Sequence, residues 1–175
     1  MSALLSQFTN PKYPIVVVQY KRDDYGVGSE QHLHWALIII TKGNSGPCFQ
    51  AVDRIYRDRP RKQWSAPYME VNIESTRKCL GGVQVGTVKH RDLDIVKAML
   101  KGYAPVSKFE AWNCRDYVFE MIELLKPGGY IRRDLAPGRM VGIDDLLPDL
   151  RLASRNTQGS LEDGRLRAYI KYYYN

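Results

Sequence analysis

The sequence predicts an α+β protein in which an antiparallel sheet packs against helices. Three observations predict it. Strand-like segments fill the chain from residue 13 to residue 88, and helical spacing begins only at residue 92. Two neighbouring strand segments, separated by a short stretch rich in Gly, Asn and Ser, read as a hairpin. The chain has 175 residues, 44% of them hydrophobic, which suits one domain with a real core. Strands followed by helices, rather than alternating with them, is the α+β order. The single domain is expected over residues 1–175, with its core in residues 13–152. The tail, residues 153–175, ends in tyrosines, and the sequence assigns it to neither helix nor strand.

Each element has its own reason. Residues 1–12 read as a loosely held arm. Residues 13–20 carry Ile15, Val16, Val17 and Val18, and β-branched runs favour strand. Residues 21–30, charged and with two glycines, form a loop. Residues 32–41 begin with alternation and become a continuous apolar run, as a central strand does. Residues 42–47 turn, and residues 48–52 return beside them. Residues 68–73 alternate, and residues 83–88 follow an expected turn at Gly81-Gly82; both read as strands. Residues 92–101 form a helix that offers Leu93, Val96, Ala98, Met99 and Leu100 for burial, and Gly102 ends it. Residues 103–111 are a loop. A second helix starts after Asn113, with an apolar stripe of Tyr117, Val118, Met121, Ile122 and Leu125, and stops at Lys126-Pro127-Gly128-Gly129. Residues 128–142 form a loop. Residues 143–152 are a short helix that Pro148 interrupts.

The charge balance is basic, 26 Lys and Arg against 19 Asp and Glu, a net +7. Arg54, Arg57, Arg59, Arg61 and Lys62 concentrate it in one segment, a place for an anionic partner. Tyr56 and Trp64 are the aromatics there, too few to make nucleic acid the expected partner. Cys48, Cys79 and Cys114 are odd in number and lack metal-ligand spacing, so no disulfide framework, metal or other cofactor is expected. The N-terminus lacks the pattern of a signal peptide, and no apolar run is long enough to span a bilayer. A reducing, cytoplasmic setting is the expectation.

Cys114 is the residue with the most chemistry to offer. It falls in the first turn of the second helix, where unpaired N–H groups and the helix dipole stabilise a thiolate. A thiolate nucleophile needs a base and donors for the developing oxyanion. His34, at the start of the central strand, is the candidate base, and Gln50, on the returning hairpin strand, is placed to orient its ring. The Cys114 backbone N–H is an oxyanion donor. Trp35, Asn113 and His32 flank the pair as candidates for substrate or oxyanion binding; His32 shares the facing of His34 and is an alternative base. A cysteine at a helix start is also a common buried hydrophobe, so the position alone does not decide. Cys48 and Cys79 read as structural, and His90 as a surface residue.

The strand His34-Trp35-Ala36-Leu37-Ile38-Ile39, followed much later by Asn113-Cys114-Arg115-Asp116-Tyr117-Val118, resembles the circularly permuted, NlpC-type branch of the papain-like fold. Within it the chain is similar to lecithin:retinol acyltransferase and the H-Ras-like suppressor acyltransferases, where a His-Trp-Ala strand precedes an Asn-Cys helix. It also resembles a group of fungal proteins of unassigned function that share a Trp-Asn-Cys element. The resemblance covers residues 14–131. It implies Cys114 as nucleophile and His34 as base. The acyltransferases have a histidine where Gln50 falls, and they carry an apolar membrane-anchoring tail that this sequence lacks, so a lipid substrate is not implied.

The expected function is a cysteine-dependent hydrolase or acyl transferase acting on an amide, ester or thioester of a small-molecule or peptide-like substrate. The alternative is a non-catalytic interaction module on the same fold that holds an anionic partner through residues 54–62.

Overall fold

Ile15, Val16, Val17 and Val18 are all fully buried, so both faces of their strand are covered and a β-branched run is the residue choice that fits. The computed structural model describes residues 10–54, 58, 63–135, 137–165 and 167–173. Its elements are β1 (Lys12–Tyr20), β2 (His34–Ile39), β3 (Ser45–Phe49), β4 (Val52–Arg54), β5 (Gln63–Ser65), β6 (Met69–Asn72), β7 (Cys79–Lys89), α1 (Leu93–Gly102), α2 (Cys114–Leu125), α3 (Ile143–Glu162) and β8 (Ile170–Lys171). The fold is mixed α+β. Six strands form one sheet in the order β6-β3-β2-β1-β7-β8, and β4 pairs with β5 apart from it. Every neighbour in the large sheet is antiparallel except β8, which runs parallel to β7. The expected hairpin is present, with Leu37 opposite Phe49 and Ile38 opposite Cys48.

Alternation divides the core. Ile15, Val17, Trp35 and Leu37 share one cluster with Val96 and Leu100 of α1, Tyr117, Val118, Met121 and Ile122 of α2, and Leu146 and Leu150 of α3. Val16, Val18, Ala36 and Ile38 join Cys48, Ile73, Cys79 and Ile170 in the other. Each large side chain fully buried contributes about 1.5–3 kcal/mol of transfer free energy, so the two clusters dominate the stability of the fold.

Several expectations are corrected. Gly81-Gly82 is not a turn but lies inside β7. Gly81 has φ +80°, and a Cβ there would meet the Tyr169 carbonyl oxygen at 2.2 Å and Thr157 Oγ1 at 2.7 Å. The register shifts between Val18 and Tyr20, so the glycine marks a bulge where β1, α3 and the chain before β8 converge. Residues 143–152 are not a short broken helix, because α3 runs on through Pro148 to Glu162. Proline removes one hydrogen bond, yet Leu146, Leu150, Ala153, Ser154 and Thr157 are buried at helical spacing and hold the helix on the sheet. The tail is thus helix as far as Glu162 and then strand β8. Of the expected loose arm, residues 1–9 lie outside the described residues, and the rest is tied down: the Pro11 carbonyl accepts from His90 N and Asn10 Oδ1 accepts from Arg91 N. In α1, Val96 and Leu100 are buried, whereas Ala98 is exposed.

Candidate active site

Asn113 starts α2 because its side chain completes a capping box. Asn113 Oδ1 accepts from Arg115 N at 2.9 Å, and Asp116 Oδ2 accepts from Asn113 N at 3.0 Å. The next residue, Cys114, is therefore the first of the helix, 2% exposed, with the dipole end at its sulfur. α2 packs on β2, and its start lies over the start of that strand. There the Trp35 backbone N–H and the His34 side chain both reach Cys114.

Gln50 lies one residue past the end of β3, not on the strand as expected, because β3 pairing stops at Phe49. It still reaches His34: Nε2 of the imidazole is 2.6 Å from Gln50 Oε1. An amide oxygen only accepts, so Nε2 carries the proton and donates it. Nδ1 is then the ring nitrogen left with a lone pair, and it is the one available to the sulfur. The Gln50 amide nitrogen is itself held, 3.4 Å from Met69 Sδ on β6.

The electrostatics couple the pair. Burial pushes the Cys114 thiol up, but hydrogen bonding to His34, the positive charge of His34, the Trp35 N–H and the Arg22 guanidinium outweigh it, and the thiol falls below its ordinary range. Burial pushes His34 down, but hydrogen bonds and charge from Cys114, with the Gln50 contact, outweigh that and the opposing Arg22, and the imidazole is raised. The other two thiols behave oppositely: burial pushes Cys48 up to about 12 and Cys79 to about 11. All three cysteines are free.

Cys114 opens on a cleft of about 1320 Å³. Arg22 and Tyr25 form part of one wall, Trp64 and Trp112 part of another. Trp64 of β5 meets Trp112 edge to face, ring centroids 5.0 Å apart. Glu120 of α2 fixes the loop before the helix: Trp112 Nε1 donates to it at 2.8 Å, Tyr103 Oη at 2.9 Å, and Lys108 Nζ lies 3.1 Å away. That wall is thus anchored to the same helix that carries the cysteine.

Of the flanking candidates, Trp35 is corrected. Its indole is fully buried, packs edge to face on Phe119, and donates to the Glu30 carbonyl, so only its backbone N–H serves the site. Asn113 lines the cleft, but its side chain is committed to the cap and to the Ala111 carbonyl. His32 does not share the facing of His34. It sits in a 3-10 turn, Glu30–His32, where strand alternation does not hold, and it stacks on Tyr25 in the cleft wall. His90 bonds Tyr13 Oη through Nδ1, far from the site in the chain's layout. Arg54 is exposed at the end of β4, while Arg57, Arg59, Arg61 and Lys62 lie outside the described residues.

The sequence gives no sign of Arg22, and it reads Glu120 only as an acidic residue near the start of the second helix, not as the anchor of the preceding loop. Arg22 stands in a charged loop with no periodicity, and an ion pair to Asp53 at 3.6 Å keeps it near the cleft. Among the described residues no group of three or more His, Cys, Asp or Glu side chains is arranged to hold a metal ion, and no helix is long and apolar enough to cross a membrane.

No curated protein and no solved structure matches this chain. Residues 12–134, which include Cys114, His34 and Gln50, match the Family of unknown function (DUF6914), and the chain belongs to that family.

Proposed function

We propose that this protein is a cysteine-dependent hydrolase or acyl transferase that works through a thiol acyl-enzyme. One observation carries the reading: Gln50 holds the Nε2 proton of His34, leaving Nδ1 to a sulfur at a helix start whose thiol is lowered while the imidazole is raised. That is the arrangement an activated thiol requires. His34 takes the Cys114 thiol proton on Nδ1, and the sulfur attacks the carbonyl carbon of an amide, ester or thioester. The carbonyl π pair moves to oxygen, where the Cys114 N–H at the helix start donates to it. As the intermediate collapses, His34 gives its proton to the leaving amine, alcohol or thiol, and a thioester remains on Cys114. Water, an amine or a hydroxyl then attacks that thioester. His34 takes the proton of the attacking group, and the sulfur leaves as thiolate.

The cleft supports a polar substrate. Arg22, His32, Lys108 and Glu110 line it beside the aromatic residues, which suits a peptide-like amide or a small acylated molecule better than a lipid chain. The base strand preceding the nucleophile helix, as here, fits the permuted papain-like order. Three free thiols suit work in a reducing compartment such as the cytoplasm.

The test is the pH dependence of alkylation by iodoacetamide, read by mass spectrometry at each cysteine, in the parent and in His34→Ala. Cys114 is expected to label fast with an apparent pKa below the free-thiol value of about 8.5, and to lose that advantage in His34→Ala. Cys48 and Cys79, buried and raised, serve as slow internal references. Labelling of Cys114 no faster than theirs, and indifferent to His34, would overturn the enzyme reading and leave a non-catalytic module.

A further inference from the structure

A second cleft, of about 820 Å³, opens at the other end of the sheet. Tyr20, at one end of β1, pairs with His34, and Lys12, at the other end, pairs with Lys89 in the cleft wall. Eight residue steps at ~3.4 Å each separate those ends by about 27 Å, so the cleft is not part of the Cys114 site. Five cations line it, Lys12, Lys89, Arg91, Arg132 and Arg133, against two carboxylates, Asp92 and Asp134.

The carboxylates are already taken. Arg132 forks onto Asp134 at 3.0 and 2.9 Å, and Arg91 lies 3.4 Å from Asp92. Among the described residues Lys12, Lys89 and Arg133 have no carboxylate partner, and all three are exposed. Lys12 and Lys89 stand directly opposite each other across β1 and β7. Like charges in that relation repel and weaken the pairing, so their placement costs stability that an anion between them would return. The segment bearing Arg133 is also fixed. Ile131 bridges to Gly86 on β7, and the Arg132 side chain, 7% exposed, donates to the Gln84 carbonyl at 2.6 Å and lies 3.4 Å over the Tyr173 ring.

We propose that this cleft binds a multiply charged, phosphate-bearing ligand through Lys12, Lys89 and Arg133, with Arg132 as the strut that positions the segment. Two ammonium groups and a guanidinium, without carboxylate partners among the described residues and set at one end of the sheet, match the several oxygens of a phosphate group. The cleft is large enough for more than one such group.

The experiment has two arms. Sodium pyrophosphate is titrated calorimetrically, and phosphatidylcholine vesicles with and without phosphatidylinositol bisphosphate are tested by co-sedimentation. The parent is compared with a cleft triple variant, Lys12→Gln, Lys89→Gln and Arg133→Gln. A charge-matched control triple is Lys42→Gln, Arg77→Gln and Arg155→Gln, all exposed elsewhere. The cleft triple is expected to weaken binding roughly tenfold or more in at least one arm, with little change in the control. A response to pyrophosphate assigns a soluble ligand, and a response to the vesicles alone assigns a lipid headgroup. The double variant Lys12→Arg and Lys89→Arg, which keeps the charge, is expected to retain binding. The cleft triple should melt no lower than the parent, since it removes the Lys12–Lys89 repulsion. Absence of binding in both arms, or equal losses in the cleft and control triples, would overturn the proposal.

Discussion

Gln50 can orient an imidazole but cannot exchange a proton with it, so its contribution to the pair is the choice of tautomer. Gln50→Ala leaves the Nε2 proton without its acceptor and frees the ring to rotate. Cys114 alkylation at mildly acidic pH should then fall roughly tenfold, with Cys48 and Cys79 unchanged, as followed by mass spectrometry. Arg22 acts on the same pair by charge alone: it favours the thiolate and disfavours the imidazolium. Arg22→Gln should therefore raise the apparent pKa of Cys114 and of His34 together. The alkylation profile moves to higher pH, and a two-dimensional NMR titration of the His34 ring moves the same way. A shift of the thiol upward with His34 moving down would refute this assignment. Cys114 and His34 were legible at this scale because a helix cap and a strand start are local signals. Arg22 was not, because a cation in an aperiodic loop says nothing of what it will face.

The start of α2 sets the position of the sulfur, and its cap is a separable element. Asn113→Ala removes one half of the capping box and should cost about 1 kcal/mol in urea denaturation. Because the same cap places Cys114, alkylation should slow by more than stability falls. α3 carries the opposite kind of defect. Pro148 leaves the Asp144 carbonyl without its helical donor in a helix that nevertheless runs on to Glu162 with one face buried. Pro148→Ala restores the bond at some cost in unfolded-chain entropy, and is expected to stabilise by about 1–2 kcal/mol. Sequence rules stop a helix at a proline because they cannot see four side chains buried beyond it.

Glu30 ties the two ends of the chain together. It is 1% exposed, in the turn before β2, and it accepts from Gly28 N at 2.9 Å and from Ser154 Oγ of α3 at 2.5 Å. Burial pushes its carboxyl up, but the Ser154 and backbone hydrogen bonds and the Arg151 charge outweigh it, and the net direction is down. A depressed folded pKa means stability that is fully present above the unfolded value, about 4.3, and lost as pH falls through the folded one. Glu30→Gln should therefore destabilise by about 1–2 kcal/mol at neutral pH. Its difference from the parent should shrink in acid, as measured by urea midpoints across pH. A constant difference down to the lowest pH would mean that packing, not charge, carries the effect.

The sequence by itself determined the α+β class, the hairpin of β2 and β3, the buried stripe of α2 and the cap that puts Cys114 first in its helix. Those are local matters: periodicity and capping act between residues a few positions apart. Tertiary structure alone decided what lies far apart in the chain. It made Gly81-Gly82 a bulge inside a strand, because the crowding there comes from residues 157 and 169. It carried α3 through a proline, because the sheet repays the lost bond. It turned His32 away from His34, and it brought Arg22 into the cleft that Cys114 lines and Lys12 opposite Lys89. Long-range burial and charge depend on where the chain returns in space, which spacing along the sequence does not encode.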